Sequence, residues 1–86
     1  MNNNSNYVLV GEIRRFPYNF VPEGFLPCNG MSLDVSKYQM LCGLISSRYG
    51  GDGVNIFNLP NLNKDLADDD PKYYIAYDGN WPVRTE

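Results

Sequence analysis

The stretch Tyr49 to Leu62 constrains this chain most, reading Tyr-Gly-Gly-Asp-Gly-Val-Asn-Ile-Phe-Asn-Leu-Pro-Asn-Leu. Gly50, Gly51 and Gly53 crowd its first half. Glycine takes backbone angles that side chains resist, so this half reads as a forced reversal. Asp52 is expected to bond backbone amides close by. The second half carries Ile56, Phe57, Leu59 and Leu62 as apolar anchors, stiffened by Pro60. It reads as an irregular arm pinned to a core. A phosphate cradle is the competing reading of the glycines. A P-loop ends in Gly-Lys-Ser or Gly-Lys-Thr, and a dinucleotide loop needs Gly-x-Gly-x-x-Gly. Neither pattern is present, so the glycines are read as a structural turn.

The segment before this stretch reads as a helix over residues 36–48. Ser36 is its expected cap, with Gln39 at capping-box spacing. Tyr38, Leu41, Cys42 and Ile45 fall at i, i+3, i+4 and i+7, and Leu44 widens the stripe. Gly43 weakens the helix by about 1 kcal/mol relative to alanine, which suggests that a neighbouring backbone packs closely there. Gly50 and Gly51 are the expected stop.

Residues 7–16 read as a strand with Val8, Val10, Ile13 and Phe16 inward. Gly11 breaks the alternation, as a bulge or a close backbone approach does. Residues 17–30 contain Pro17, Pro22, Pro27, Gly24 and Gly30, and that density of breakers predicts a packed loop without regular structure. Cys28-Asn29-Gly30 closes it with a turn signal. Residues 63–72 read as a solvated acidic loop. Residues 73–77 read as a strand with Ile75 on one face and Tyr74 and Ala76 on the other, and Asp78-Gly79 marks a tight turn. Residues 1–6 are polar and patternless, a flexible lead, which leaves residues 7–86 as one domain.

The chain has 86 residues, of which 43% are hydrophobic. Seven Tyr, four Phe and one Trp help so short a chain to form a core, because each aromatic ring buries a large area. The net charge of −3 disfavours nucleic-acid binding, which needs clustered Lys and Arg. Arg14-Arg15 is the only basic doublet. No apolar run approaches the ~20 residues of a membrane span. Met1 is followed by Asn-rich sequence rather than a secretory leader, so the expectation is synthesis in the cytoplasm or export by another route. Cys28 and Cys42 make no disulfide framework. A bridge between them is open, but two thiols are the expectation for a reducing compartment.

Taken in order, these fragments resemble the phage tail collar domain family, which includes the microcystin-dependent proteins and the tip regions of short tail fibres. The matching string is Gly11-Glu12-Ile13-Arg14 with Phe16, then Pro22-Glu23-Gly24-Phe25 and Cys28-Asn29-Gly30. The helix Ser36 to Ile45 follows, then Tyr49-Gly50-Gly51-Asp52-Gly53 and Phe57-Asn58-Leu59-Pro60-Asn61-Leu62. The resemblance covers roughly residues 11–62, with Tyr74-Ile75-Ala76, Gly79 and Trp81-Pro82 similar to the closing strand. It implies a compact α+β domain with short strands, one helix and much ordered loop. Gly11, Gly24, Cys28, Gly30, Gly50, Gly51, Asp52, Gly53, Phe57 and Pro60 are its structural residues. Two features depart from the family. Asn63-Lys64-Asp65 stands where members often carry Arg-Gly-Arg, and the long variable region shrinks to a loop around Asp68-Asp69-Asp70. The chain has no histidine, so the metal-binding histidines of the best-known short tail fibre head are not carried over.

Chemistry has few footholds. Without histidine the usual general base near neutral pH is missing, and neither cysteine has an imidazole partner. No arrangement of nucleophile and base is visible, so the chain is read as no enzyme, with no cofactor. Asp65, Asp68, Asp69 and Asp70 match no calcium loop, and a solvated charge run is the expectation rather than a metal site. The remaining material is aromatic and basic. Tyr7, Tyr18, Tyr73, Tyr74, Tyr77 and Trp81 are too many for one side of a small core. Ordinary half-buried tyrosines explain some of them. A subunit interface or a carbohydrate-stacking face is the sharper reading. Arg14, Arg15, Tyr73, Tyr77 and Trp81 are the candidate binding residues, although Arg14 and Arg15 also suit a solvated strand face.

The expected role is a non-enzymatic structural or adhesive component of a phage tail, fibre or tail-like particle. Its partners would be further copies of itself, as a trimer if it follows the tail fibres, other particle proteins, and a cell-surface glycan. Its place would be the virion. The alternative is a stand-alone carbohydrate- or protein-binding module, lectin-like, outside the cell or on its surface.

Overall fold

A computed structural model describes residues 8–18 and 20–82. The flexible lead expected at residues 1–6, and Tyr7, lie outside the described residues. The closing strand is the structural centre. Strands β1 (Ile13–Phe16) and β2 (Phe25–Pro27) flank β5 (Lys72–Ala76) in an antiparallel sheet ordered β1-β5-β2. Ile13 pairs with Ile75 and Arg15 with Tyr73 on one side, while Leu26 pairs with Ile75 on the other. A second ladder joins β3 (Ser32–Asp34) to β4 (Ile56–Asn58), with Leu33 opposite Phe57. Helix α1 (Gln39–Ile45) lies between those two strands in sequence. The result is a small, strand-rich α+β domain.

The pleat of β5 sorts the core into two halves. Ile75 joins Val10, Cys28, Leu33, Leu41, Cys42, Phe57 and Leu59 in the main cluster. Tyr74 and Ala76 point to the other face and pack with Phe25, Val8 and Phe16. This is the division of faces expected from the alternation at residues 73–77. On the helix, Leu41 and Cys42 are buried, and Tyr38, Leu44 and Ile45 pack against the main cluster.

Several expectations need correction. The strand expected over residues 7–16 is regular only at Ile13–Phe16. Ahead of it the Glu12 amide donates to the Leu9 carbonyl, and Gly11 has φ +88°. The Gly11 amide donates to the Ala76 carbonyl, and the Ala76 amide donates to the Glu12 carbonyl. Two residues thus face one, which is a bulge with glycine in the left-handed position. Ile13 is exposed, not inward, because the main cluster does not reach across edge strand β1. The breaker-rich segment holds a strand after all. Pro27 is tolerated because β2 is an edge strand, and the Phe25 amide turns back to the Pro22 carbonyl.

The helix is shorter than residues 36–48. Tyr38 occupies its N-cap without a side-chain bond. The Asp34 carbonyl instead accepts the Lys37 and Tyr38 amides, and Ser36 contributes only its carbonyl to the Gln39 side chain. The helix stops at Ser46, with φ 51°, before Gly50 and Gly51 are reached. Gly43 faces the Trp81 ring rather than a neighbouring backbone: a Cβ placed on it would lie 3.4 Å from Trp81 Cη2. Cys28 and Cys42 are free thiols, so the bridge open to them is not made.

The Tyr49–Leu62 stretch is more regular than an irregular arm. Gly51 bridges Phe57, the Gly53 amide donates to Ile56, and the Asn58 amide donates to Gly50. Phe57 and Leu59 are buried in the core, whereas Ile56 and Leu62 are exposed and anchor nothing in the main cluster. Beyond β4 the arm lies along residues 28–31. The Leu59 amide donates to Met31, Gly30 to Pro60, and Asn63 to Cys28.

Candidate functional site

The two ends of the sheet hold different side-chain groups. At the Lys72 end of β5, the Arg15 guanidinium carbon stands 5.0 Å from the Tyr73 ring centroid. The antiparallel register that places Arg15 opposite Tyr73 produces this contact. The Arg15 Nε donates to the Pro71 carbonyl at 3.0 Å, which fixes the guanidinium over the ring. Such a cation–ring pair contributes about 0.5–1 kcal/mol at an exposed site.

Arg14, one residue earlier, faces the other side of the sheet. Its Nε donates to Glu12 Oε2 at 2.7 Å, and Glu12 Oε1 accepts the Leu9 amide at 3.0 Å. The hydrogen bond from Arg14, and then that from Leu9, lowers the Glu12 carboxyl below its ordinary pKa. Glu12 therefore ties the basic strand to the turn that precedes it.

At the other end of β5, Tyr77 meets Tyr38 edge to face, with ring centroids 5.4 Å apart. Trp81 is 49% exposed and lies beside Gly43 of the helix. Tyr77 lies one residue beyond β5 and four residues from Tyr73, about 13 Å along an extended chain. Arg15 and Tyr73 are thus brought together, Tyr77 and Trp81 lie toward the opposite end, and Arg14 is on the reverse face. The five candidate binding residues do not form one patch.

A feature missing from the sequence reading is an aromatic row. Phe16 and Tyr18 stack at 5.3 Å and 11°, and Tyr18 and Phe20 stack at 4.9 Å and 2°. Phe16 also meets Phe25 edge to face at 5.3 Å. The signal was the spacing of 16, 18 and 20 along an extended chain, which the prolines obscured. Glu12 and Tyr38 were also missed as partners, since only the fold brings them to Arg14 and Tyr77.

Several of the remaining polar groups serve the fold. Asp52 Oδ1 accepts the amides of Val54, Asn55 and Ile56 at 2.8, 2.8 and 3.1 Å. Those donors, Ile56 first, lower its carboxyl to about 2. Burial pushes the Cys28 thiol up to about 11, so it stays protonated and is a poor nucleophile. In the acidic loop the Asp70 carboxylate accepts the Ala67 amide, and Asn63 exchanges two hydrogen bonds with the Tyr73 backbone. Among the described residues no group of three or more Cys, Asp or Glu is placed to hold a metal ion. Among them, too, no helix is long and apolar enough to cross a membrane.

The family model of the phage tail collar domain matches residues 11–67. That span runs from the bulge at Gly11 through the helix and the Gly51–Phe57 bridge into the acidic loop. The chain belongs to the phage tail collar domain family. Membership marks it as a structural component of a phage tail or tail fibre. A search of curated proteins finds no match.

Proposed function

We propose that the chain is a structural or adhesive part of a phage tail, tail fibre or tail-like particle, working through rigid contacts. The observation that carries this reading is the collar match over the helix, the glycine turn and the Phe57–Leu62 arm. Contact would fall first on Arg15 and Tyr73, already held together by the sheet register, with Trp81 and Tyr77 as a second area. Arginine, tyrosine and tryptophan are the residues enriched where proteins meet. Arg14, tied back to Glu12, would flank the contact through its charge.

The chain would act in a homo-oligomer, a trimer by analogy with tail fibres, and among other particle proteins. A domain this small has a thin core, and assembly adds burial that the monomer lacks. Sedimentation velocity tests this directly: an oligomer at micromolar concentration is the expected result, and a stable monomer contradicts it. The half-exposed Trp81 ring favours a second reading, a lectin-like module. A glycan array separates the two. Clear sugar binding by isolated protein favours the module, and a silent array with incorporation into particles favours the structural role.

A further inference from the structure

The middle ring of the aromatic row lines a groove of about 570 Å³ that the acidic loop also lines. Tyr18 lines it beside Tyr74, facing Asp68, Asp69, Asp70 and Lys72. Tyr18 is 44% exposed and Phe20 59% exposed, a large aromatic surface to leave in water. Stacking with Phe16 and Phe20 occupies the faces of the Tyr18 ring, so the groove receives its hydroxyl-bearing edge.

Three of the four charged groups that line the groove are carboxylates, those of Asp68, Asp69 and Asp70. The side chains of Asp68 and Asp69 have no hydrogen-bond partner among the described residues. The groove's one cation does not offset them. Lys72 has three ammonium N–H groups, and its Nζ donates to the carbonyls of Ala67, Asp68 and Asp70. The groove thus combines the ring and proline surface of Tyr18, Tyr74 and Pro17 with the negative charge of Asp68 and Asp69. A guanidinium or ammonium group needs only acceptors, and its alkyl stem packs on aromatic surface.

We propose that this groove docks an arginine or lysine side chain carried by an extended segment of a partner polypeptide. The stem would lie along Pro17 and Tyr18, and the charged head would meet Asp68 and Asp69. This face is separate from the Arg15–Tyr73 contact and stands on the groove alone, so either reading can fail without the other.

A blocked Gly-Arg-Gly-Arg-Gly peptide, titrated into the ¹⁵N-labelled protein at low salt, tests the proposal. The expected result is saturable shifts centred on Tyr18, Asp68 and Asp69. Binding should weaken about tenfold in the double variant Asp68→Asn, Asp69→Asn, since two exposed charge pairs are lost. It should also weaken in ~0.3 M salt. The unbound spectrum of the double variant, unchanged outside the loop, shows that it is folded. Absence of shifts at millimolar peptide overturns the proposal. So do equal binding of a Gly-Glu-Gly-Glu-Gly peptide and undiminished binding by the double variant. A neutral oligosaccharide such as maltohexaose that shifts the same residues while the arginine peptide does not would assign the groove to sugars instead.

Discussion

A Cβ on Gly51 would stand 2.7 Å from the Phe57 Cα and 2.6 Å from the Ile56 carbonyl oxygen. The backbone of the glycine turn is pressed directly against the strand that carries the most deeply buried ring. Gly51 also has φ +86°, so an alanine there meets both backbone strain and a clash with main-chain atoms. Gly24 shares that φ of +86° but has open space around its missing Cβ. Gly24→Ala therefore pays only the conformational term, about 1 kcal/mol. Gly51→Ala should cost several times as much, since neighbouring backbone must move. Urea unfolding of the two variants measures the difference. Equal losses would show that the close approach does not matter.

Phe57 is fully buried in the main cluster. Phe57→Ala should cost about 3–5 kcal/mol, a large share of the stability of so small a domain. Circular dichroism at growth temperature should show an unfolded or partly folded chain. A folded, assembly-competent Phe57→Ala protein would mean that the Tyr49–Leu62 stretch serves something other than the core.

Asp52 gives the fold an acid-sensitive joint. Its carboxyl is held at about 2 in the folded protein, against an ordinary value of 3.8, by three backbone amides. A depressed folded-state value means that the ionised form is stabilised by folding. That contribution is complete above about 3.8 and is lost as pH falls through about 2. Asp52→Asn keeps an acceptor oxygen but cannot titrate. Its urea midpoint should therefore depend less on pH across that window than the midpoint of the parent chain. Parallel curves for the two proteins would contradict the amide cage.

Cys28 is fully buried, with its thiol pushed up to about 11, and it forms no bridge with Cys42. Iodoacetamide near neutral pH should modify Cys28 only as fast as the domain opens. In denaturant without reductant both cysteines should gain one carbamidomethyl group each, read by mass spectrometry. Rapid labelling of Cys28 in the native protein, or no labelling of the unfolded chain, would contradict this.

Gly43 sits in the helix on an exposed face with only the Trp81 ring near its missing Cβ. Gly43→Ala should raise stability by up to about 1 kcal/mol through helix propensity. It should also change Trp81 fluorescence, because the new methyl group touches the indole. A loss of stability would show that the ring cannot yield.

What was legible in the residues was mostly local. The alternation at Tyr74, Ile75 and Ala76 encodes which face of β5 meets which half of the core. The stripe of Leu41, Cys42 and Ile45 encodes the buried side of the helix. The string Asp52-Gly53-Val54 encodes the amide cage. What was hidden depends on pairing at a distance. Strands β2, β3 and β4 have three residues each and exist because a partner strand completes their hydrogen bonds. Ser36 has a cap's spacing but lost the role to the Asp34 carbonyl. Ile13, Ile56 and Leu62 are apolar enough for a core, yet the edges of the two sheets leave them outside it. For the candidate contact residues, only the β1–β5 register shows that Arg15 meets Tyr73 while Arg14 turns away to Glu12.

The central claim is that this collar-domain chain is built into a particle. Quantitative mass spectrometry of density-banded particles, from the phage or tail-like machine that encodes the chain, tests it most directly. The account predicts the protein in the particle band at a fixed copy number relative to the other tail proteins, retained through high-salt washing. Particles that contain their other tail proteins but lack this chain, with all of it left in the soluble fraction, would contradict the account.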